Sequence, residues 1–337
     1  MEQIVEINWL INDCCNFNCV YCYPGSKKNE FIGVRDVNKI VDGFKKTGLR
    51  WLIYITGGEP FLSPNFVELC QKLTEDHIIS INSNIAHHDV YRFAELIDPE
   101  KVRCVHCSFH IIERERLNLV DDFIKKYKYL ESKGFYVFAS YVLYPNLINR
   151  FRRDYEFFKS KGLILRPKLF RGSYNRFNPN IINFPFLRRF KPYFILTYPE
   201  AYSTRQKEKI IPYIKQSQED GNFNIDHKED LWEGRLSDIY LDASFIDGFP
   251  SFTGKYCMAG KTFVRMTPTG EAYRCYNDDH YFGNLFEGTI RLFEKPALCT
   301  SDFCTCPYIG YRHVLVENKE IYGDKYKPLS VRLTGGE

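Results

Sequence analysis

Two hydrophobic rhythms alternate over the first 170 positions. Residues 4–11 form an apolar, β-rich run that stops at a group of cysteines. In residues 34–46 the apolar positions Val37, Ile40, Val41 and Phe44 recur at helical spacing. Residues 51–56 read as a short strand closed by Gly57 and Gly58, residues 66–73 as a helix, 78–83 as a strand, 90–97 as a helix and 102–109 as a strand. Val120, Phe123, Ile124, Tyr127 and Leu130 mark a helix ended by Gly134. Residues 136–143 make a strand closed by Pro145, residues 151–161 a helix ended by Gly162, and residues 164–170 a sixth strand. Strands separated by single helices are expected to lie parallel, joined by right-handed crossovers. Six units are fewer than the eight of a closed barrel, so the expected class is α/β, a partial (β/α)6 barrel.

The alternation stops after Gly172. Residues 173–250 are rich in Asn, Pro, Tyr and Phe, with one helix candidate at residues 204–219. We read residues 1–172 as the barrel, 173–250 as a connecting region that could cover its mouth, and 251–337 as a smaller cysteine-rich unit with a tail.

Composition narrows the class. The chain has 337 residues with 44% hydrophobic content, enough for a large core, and a formal charge of only +4. Residues 150–209 are more basic, with 15 Lys/Arg against Asp154, Glu156, Glu200 and Glu208. Such a stretch can attract an anionic substrate, although snorkelling side chains on a solvated surface account for most of it. No apolar run reaches the length of a membrane span, and the first residues show neither the basic nor the apolar region of a secretory signal. A cytoplasmic location is the expectation. Twelve cysteines are many for a reducing compartment, where grouped thiols bind metal or do chemistry. Four lie at positions 14, 15, 19 and 22, and five at 257, 275, 299, 304 and 306; Cys70, Cys104 and Cys107 read as buried, inert thiols.

The candidate chemistry falls at the carboxyl ends of the expected strands, where sites of open α/β sheets lie. Cys15-Asn16-Phe17-Asn18-Cys19-Val20-Tyr21-Cys22 is a C-x3-C-x2-C motif. Three thiolates on one loop can hold three irons of a cubane cluster and leave the fourth open; the same thiolates also suit zinc, which normally takes four ligands. Gly57-Gly58-Glu59-Pro60 follows a strand, with two glycines that permit close backbone approach and a carboxylate able to take a positive group. Ser83 and Asn84 end the third strand, Ser108 and His110 lie at the end of the fourth, and Arg171 follows the sixth.

The cysteine motif with an aromatic residue, Tyr21, before its last cysteine resembles the signature of the radical S-adenosylmethionine (radical SAM) superfamily, and Gly57–Pro60 resembles that family's second motif. The resemblance implies a TIM-like partial barrel. It implies a [4Fe-4S] cluster on Cys15, Cys19 and Cys22, whose open iron is chelated by S-adenosylmethionine (SAM). Reduction would cleave SAM to a 5′-deoxyadenosyl radical that abstracts hydrogen from a substrate. Carried over by position, Gly57, Gly58, Glu59 and Pro60 would face the SAM amino group, Ser83 and Asn84 the ribose, Ser108 another part of SAM, and Arg171 its carboxylate. His110 would stand near the substrate. Ordinary turn chemistry and surface placement are the alternatives for these weaker positions.

Cys257-x12-Gly270-x4-Cys275 resembles the opening of SPASM and Twitch auxiliary-cluster domains, with residues 263–274 expected as a β-hairpin. The chain then departs from the full SPASM pattern, offering only Cys299-x4-Cys304-x-Cys306. Five cysteines can ligate one cubane with a thiol to spare, so one auxiliary [4Fe-4S] cluster in a Twitch-like unit is expected, with structural zinc as the alternative.

The function implied is an oxidoreductase-type radical SAM enzyme, oxidising or cross-linking a peptide, with flavodoxin or ferredoxin as electron donor. The alternative substrate is a small sugar-like or anionic metabolite. The short stretch before Cys15 leaves no room there for a leader-recognition domain, which weighs against a peptide. From another class comes a zinc-stabilised scaffold that binds nucleic acid through its basic, aromatic region, which the Gly57–Pro60 motif disfavours.

Overall fold

The computed structural model describes residues 4–22, 32–175, 195–221, 246–248, 251, 253–302 and 304. Six strands alternate with helices: β1 (Ile4–Leu10), α1 (Val37–Lys46), β2 (Arg50–Thr56), α2 (Phe66–Asp76), β3 (Ile78–Ser83), α3 (Asp89–Leu96), β4 (Val102–Phe109), α4 (Ile111–Arg116), α5 (Val120–Ser132), β5 (Val137–Leu143), α6 (Ile148–Ser160) and β6 (Leu165–Leu169). β1 to β6 pair in sequence order, all parallel, as the alternation predicts. Pro167 is tolerated because β6 is an edge strand and needs no partner beyond β5.

Side chains alternate between the two faces of a strand, and here the faces differ sharply. The outward face carries Ile7, Trp9, Trp51, Ile53, Ile55, Ile79, Ile81, Val105, Phe109 and Tyr141, all buried against the helices. Helix α1 begins at Asp36, whose carboxylate accepts from the amides of Asn38 and Lys39 at 2.9 and 3.1 Å, a standard N-cap. On the inward face the amino-terminal end is apolar, where Leu52 and Tyr54 pack with Ile4 and Ile78. Toward the carboxyl ends that face turns polar, with Thr56, Ser80, Asn82, His106, Ser108, Ser140, Arg166 and Lys168.

Beyond the barrel come β7 (Ser173–Asn175), β8 (Ile195–Thr197), α7 (Thr204–Gly221), β9 (Tyr256–Cys257), β10 (Phe263–Met266), β11 (Glu271–Tyr273), β12 (Tyr281–Asn284) and β13 (Ala297–Leu298). The helix expected at residues 204–219 is present as α7. It packs on β6 and α6, with Ile210 and Ile214 in the main core and the Ser217 hydroxyl on the Leu165 carbonyl at 2.9 Å. It therefore takes the place of a sixth outer helix, rather than a place over the barrel mouth.

The expected hairpin is β10–β11, and it does more than bring two cysteines together. β10 pairs with β1 in parallel, and β11 and β12 follow antiparallel, so the sheet grows to nine strands in the order β12-β11-β10-β1-β2-β3-β4-β5-β6. Helix α1 crosses this junction so closely that a Cβ on Gly43 would stand 2.8 Å from the Leu285 carbonyl oxygen and 2.9 Å from Phe286 Cα. The Trp9 ring packs edge-on against both Phe44 and Phe286, which ties the hairpin unit to the barrel core.

Candidate active site

The cysteine loop leaves the carboxyl end of β1 and is laced to the loop after β2. Asn12 donates its side-chain amide to the Glu59 carbonyl at 2.8 Å and to the Ser63 hydroxyl at 2.7 Å. The Gly58 amide donates to the Asn12 carbonyl at 3.1 Å, and the Glu59 amide to the Cys14 carbonyl at 2.7 Å. A Cβ on Gly58 would lie 2.0 Å from the Cys14 carbonyl oxygen, and one on Gly57, whose φ is +150°, would lie 2.6 Å from that of Asn12. The close approach these glycines permit is thus to the cysteine loop itself.

Glu59 is fully buried. Its carboxylate accepts from the Ser83 hydroxyl at 2.6 Å, the Asn84 amide at 2.7 Å and the Phe61 amide at 3.2 Å. Burial pushes its pKa up, against these hydrogen bonds and the charge of Arg114. Glu59 in this arrangement braces the end of β3 against the loop after β2. Ser83 is turned the same way, its hydroxyl also accepting from the Ile85 amide at 2.8 Å. Pro60 is buried in the short 3-10 turn that follows Glu59.

Asn84 reaches the cysteine loop: its side-chain amide donates to Asn16 at 2.8 Å and approaches Cys15 Sγ at 3.8 Å. The residue that β3 presents inward is Asn82, which accepts from the Ser108 hydroxyl at 2.9 Å and donates to Thr56 at 3.4 Å. Sequence reading passed over Asn82, because a shift of one residue along a strand exchanges the faces. Arg171 is half-buried just past β6. His110 lies beside Tyr21, with Nδ1 3.3 Å from the phenol oxygen. Lost hydration and the Arg114 charge lower its pKa to about 4, so it is neutral at pH 7.

Helix α4 was not legible in the charged stretch 111–116, and it supports the loop from the other side. Glu113 is buried and accepts from the Asn18 amide at 2.8 Å, while Arg116 holds that carboxylate at 2.7 Å. Arg114 is fully enclosed; its guanidinium lies 5.1 Å from the Phe17 ring centroid and 4.7 Å from that of Phe123, and bonds the Asn84 carbonyl.

The three thiols act on one another. Burial raises Cys15 to about 11, with Glu59 and Cys22 adding to the rise, and Cys19 is raised further by burial and by both other cysteines. Crowded thiols of this kind are poorly suited to stand as free thiolates, and a bound metal reverses that preference.

At the other cysteine group, β9 pairs with β13 and sets Cys257 opposite Ala297. Cys257, Ala259 and Phe263 form a small apolar cluster with Cys275 and Cys299 packed on it. Arg274, which sequence reading missed, ties the group together. Its guanidinium donates to the carbonyls of Ala259, Ala297 and Leu298 at 3.2, 2.9 and 2.8 Å and to Asp278 at 2.7 Å. The two groups share a local device: the amide two residues on donates to sulfur at 3.4 Å in Phe17 to Cys15, Ala259 to Cys257 and Asn277 to Cys275. Cys304 is buried within the main core, and Cys306 lies outside the described residues. Tyr276, beside Cys275, hydrogen-bonds Asn8 on the inward face of β1, so this loop bends toward the barrel interior.

Residues 9–158 match the radical SAM superfamily. GTP 3′,8-cyclase of Actinobacillus pleuropneumoniae serotype 3 (strain JL03) is 35% identical over 79 residues, which is 22% of this chain and 23% of that protein. GTP 3′,8-cyclase of Desulforamulus reducens is 37% identical over 82 residues, 22% of this chain and 25% of that protein. The chain thus spans about a quarter of the length of the curated relatives it matches. In fold it is similar to anSMEcpe with bound AdoMet and Kp18Cys peptide, with a TM-score of 0.55 and 16% identity, covering 85% of this chain and 78% of that one.

Proposed function

We propose, for a chain that carries a radical SAM domain and is therefore an enzyme, that Cys15, Cys19 and Cys22 hold the SAM-binding [4Fe-4S] cluster and that the enzyme oxidises or cross-links a peptide. The observation that carries the site is the lacing of the cysteine loop to Gly57–Glu59 by backbone bonds that no side chain on either glycine would allow. When bound and reduced, the cluster supplies the electron that cleaves SAM to a 5′-deoxyadenosyl radical.

The chain's own residues set up that chemistry. Cys15, Cys19 and Cys22 offer three sulfurs from one loop. Asn84, Glu113 and Arg114 fix that loop from β3 and α4. Thr56, Asn82 and Ser108 form a polar ledge on the inward face for SAM hydroxyls, and Arg171, just past β6, would take its carboxylate. Cys257, Cys275 and Cys299, together with Cys304 or Cys306, fit an auxiliary [4Fe-4S] cluster in a Twitch-like unit, on the evidence of the shared amide-to-sulfur turns. Its loop leans toward the barrel interior through Tyr276 and Asn8, where it could take the electron left after hydrogen abstraction. Flavodoxin or ferredoxin would reduce the first cluster.

The fold shared with anSMEcpe supports a peptide substrate. A second reading, modification of a small anionic metabolite, is favoured by the cationic inward side of β6 and by partial likeness to GTP 3′,8-cyclase. Anaerobic incubation with SAM and dithionite tests the core of the proposal. The reconstituted protein is expected to form 5′-deoxyadenosine, and Cys15→Ala, Cys19→Ala and Cys22→Ala each to abolish it. A single variant that retains the parent rate removes that cysteine from the ligand set.

A further inference from the structure

The inward face changes character across the barrel. The strands β3 to β6 contain no Asp or Glu, yet they carry Arg103, Arg166 and Lys168. Cross-strand register sets Ser108 beside Ser140 and Ser140 beside Arg166 in one row, with Val142 beside Lys168 in the next row toward the carboxyl ends. The cysteine loop reaches the carboxyl ends of these strands, where Tyr21 packs on His110 and Tyr144. The polar ledge of Thr56, Asn82 and Ser108 borders this row at Ser108.

The cations on this wall are oriented by their neighbours. His106 stacks on Phe138 with ring centroids 4.5 Å apart and planes at 20°, and it hydrogen-bonds the Ser140 hydroxyl. The Arg166 guanidinium lies 4.4 Å from the same Phe138 ring centroid. The charges of Arg166 and Lys168 both act on His106, which burial and these charges keep neutral. Two cations therefore stand close together on a concave surface. Arg166 is half-buried over an aromatic ring, and Lys168 is exposed. A wall lined by one sign of charge concentrates counter-ions. A guanidinium packed on an aromatic ring presents a planar donor fork, which suits carboxylate and phosphate oxygens.

We propose that Arg166 and Lys168, backed by His106, Phe138 and Ser140, form a subsite on the inward face of β5 and β6 that binds an anionic group of the substrate, a phosphate or a carboxylate. This rests on the reading of the barrel mouth as the radical SAM site. It adds what that reading lacks, a point of attachment that holds the substrate by its charged end and leaves its uncharged part toward the polar ledge. The hydrogen to be abstracted then belongs to a carbon some distance from the anion.

Binding of inorganic pyrophosphate and of acetate to the reconstituted, SAM-saturated, unreduced enzyme tests the subsite by calorimetry. The parent is compared with Arg166→Gln, Lys168→Gln and Lys128→Gln, the last on the exposed side of α5. The expected result is binding to the parent that weakens about tenfold in each of the first two variants, the loss of one charge-assisted hydrogen bond, and is unchanged in Lys128→Gln. Pyrophosphate bound more tightly than acetate identifies a phosphorylated substrate, and the reverse order a carboxylate. Lys168 is exposed, so its variant keeps the test meaningful should Arg166→Gln disturb the fold. Equal binding by all four proteins, or none by the parent, overturns the proposal. Iron per chain, measured on the same samples, judges the cluster reading separately.

Discussion

Glu59 is tied into the fold as well as into its motif. As a motif residue it was expected to meet the SAM amino group. In the fold its carboxylate satisfies a buried hydroxyl and two amides. Glu59→Ala leaves those donors unpaired, a cost of about 1–3 kcal/mol for each buried group so exposed. We therefore expect Glu59→Ala to lower the unfolding free energy by several times RT and to lower cluster occupancy with it. A variant that keeps full stability and iron but binds SAM weakly would restore the direct role. The residues proposed to carry chemistry were legible because spacing alone groups Cys15, Cys19 and Cys22. Their supports were not legible. Asn12, Asn82, Glu113, Arg114 and Arg274 act through long-range contacts, and their local sequence resembles ordinary turns or a charged surface.

A titratable group on the inward face gives a second expectation at this scale. Burial and the Arg166 and Lys168 charges depress the pKa of His106 below its usual 6.5. In the unfolded chain this histidine gains a proton near pH 6.5, while in the folded chain it does not. Its contribution to stability is thus full above pH 6.5 and is lost as pH falls toward the depressed value. Chemical denaturation between pH 7.5 and 5 should show a shallower loss for His106→Gln, which keeps a hydrogen-bonding group without the charge change. Parallel slopes for parent and variant would contradict it.

At the scale of elements, the period of the apolar positions was enough to order β1 to β6 and five of the helices between them. It failed where burial is supplied from elsewhere. Helix α4 is short and largely charged; Glu113 and Arg114 are buried there by a loop and a strand end remote in sequence. The pairing of β10 with β1 was also hidden, since a parallel contact between residues 6–9 and 263–266 leaves no local trace. That junction depends on Gly43. Alanine would favour the helix by about 1 kcal/mol, but its Cβ would meet rigid backbone, and overpacking costs about 1–3 kcal/mol. Gly43→Ala is expected to be net destabilising, seen as a lower midpoint in denaturant. A stabilised variant would show that the hairpin unit yields at little cost.

Arg274 has the same standing in the second cysteine group. Four hydrogen bonds converge on a guanidinium that is almost wholly buried, and removing one partner of a buried ion pair costs about 3–5 kcal/mol. Arg274→Ala should disconnect Cys257, Cys275 and Cys299 and lower iron by about one cubane, leaving the first cluster in place. Unchanged iron in this variant would separate Arg274 from metal binding.

At the scale of the molecule, one continuous sheet joins two cysteine groups. The first sits at the carboxyl end of β1, and the second is carried by the β10–β11 hairpin on the other edge of β1. Strand β1 is thus the shared spine, and the inward face is polar toward the carboxyl ends of β2 to β6, with positive charge at the β6 edge. Cys15, Cys19 and Cys22 are proposed to hold a cubane cluster distinct from a second metal group. Iron, sulfide and zinc per chain, determined after anaerobic reconstitution in the parent and in the Cys15/Cys19/Cys22 triple alanine variant, test that claim most directly. About eight irons falling to about four are expected, whereas stoichiometric zinc with little iron, unchanged by reconstitution, overturns the cluster assignment.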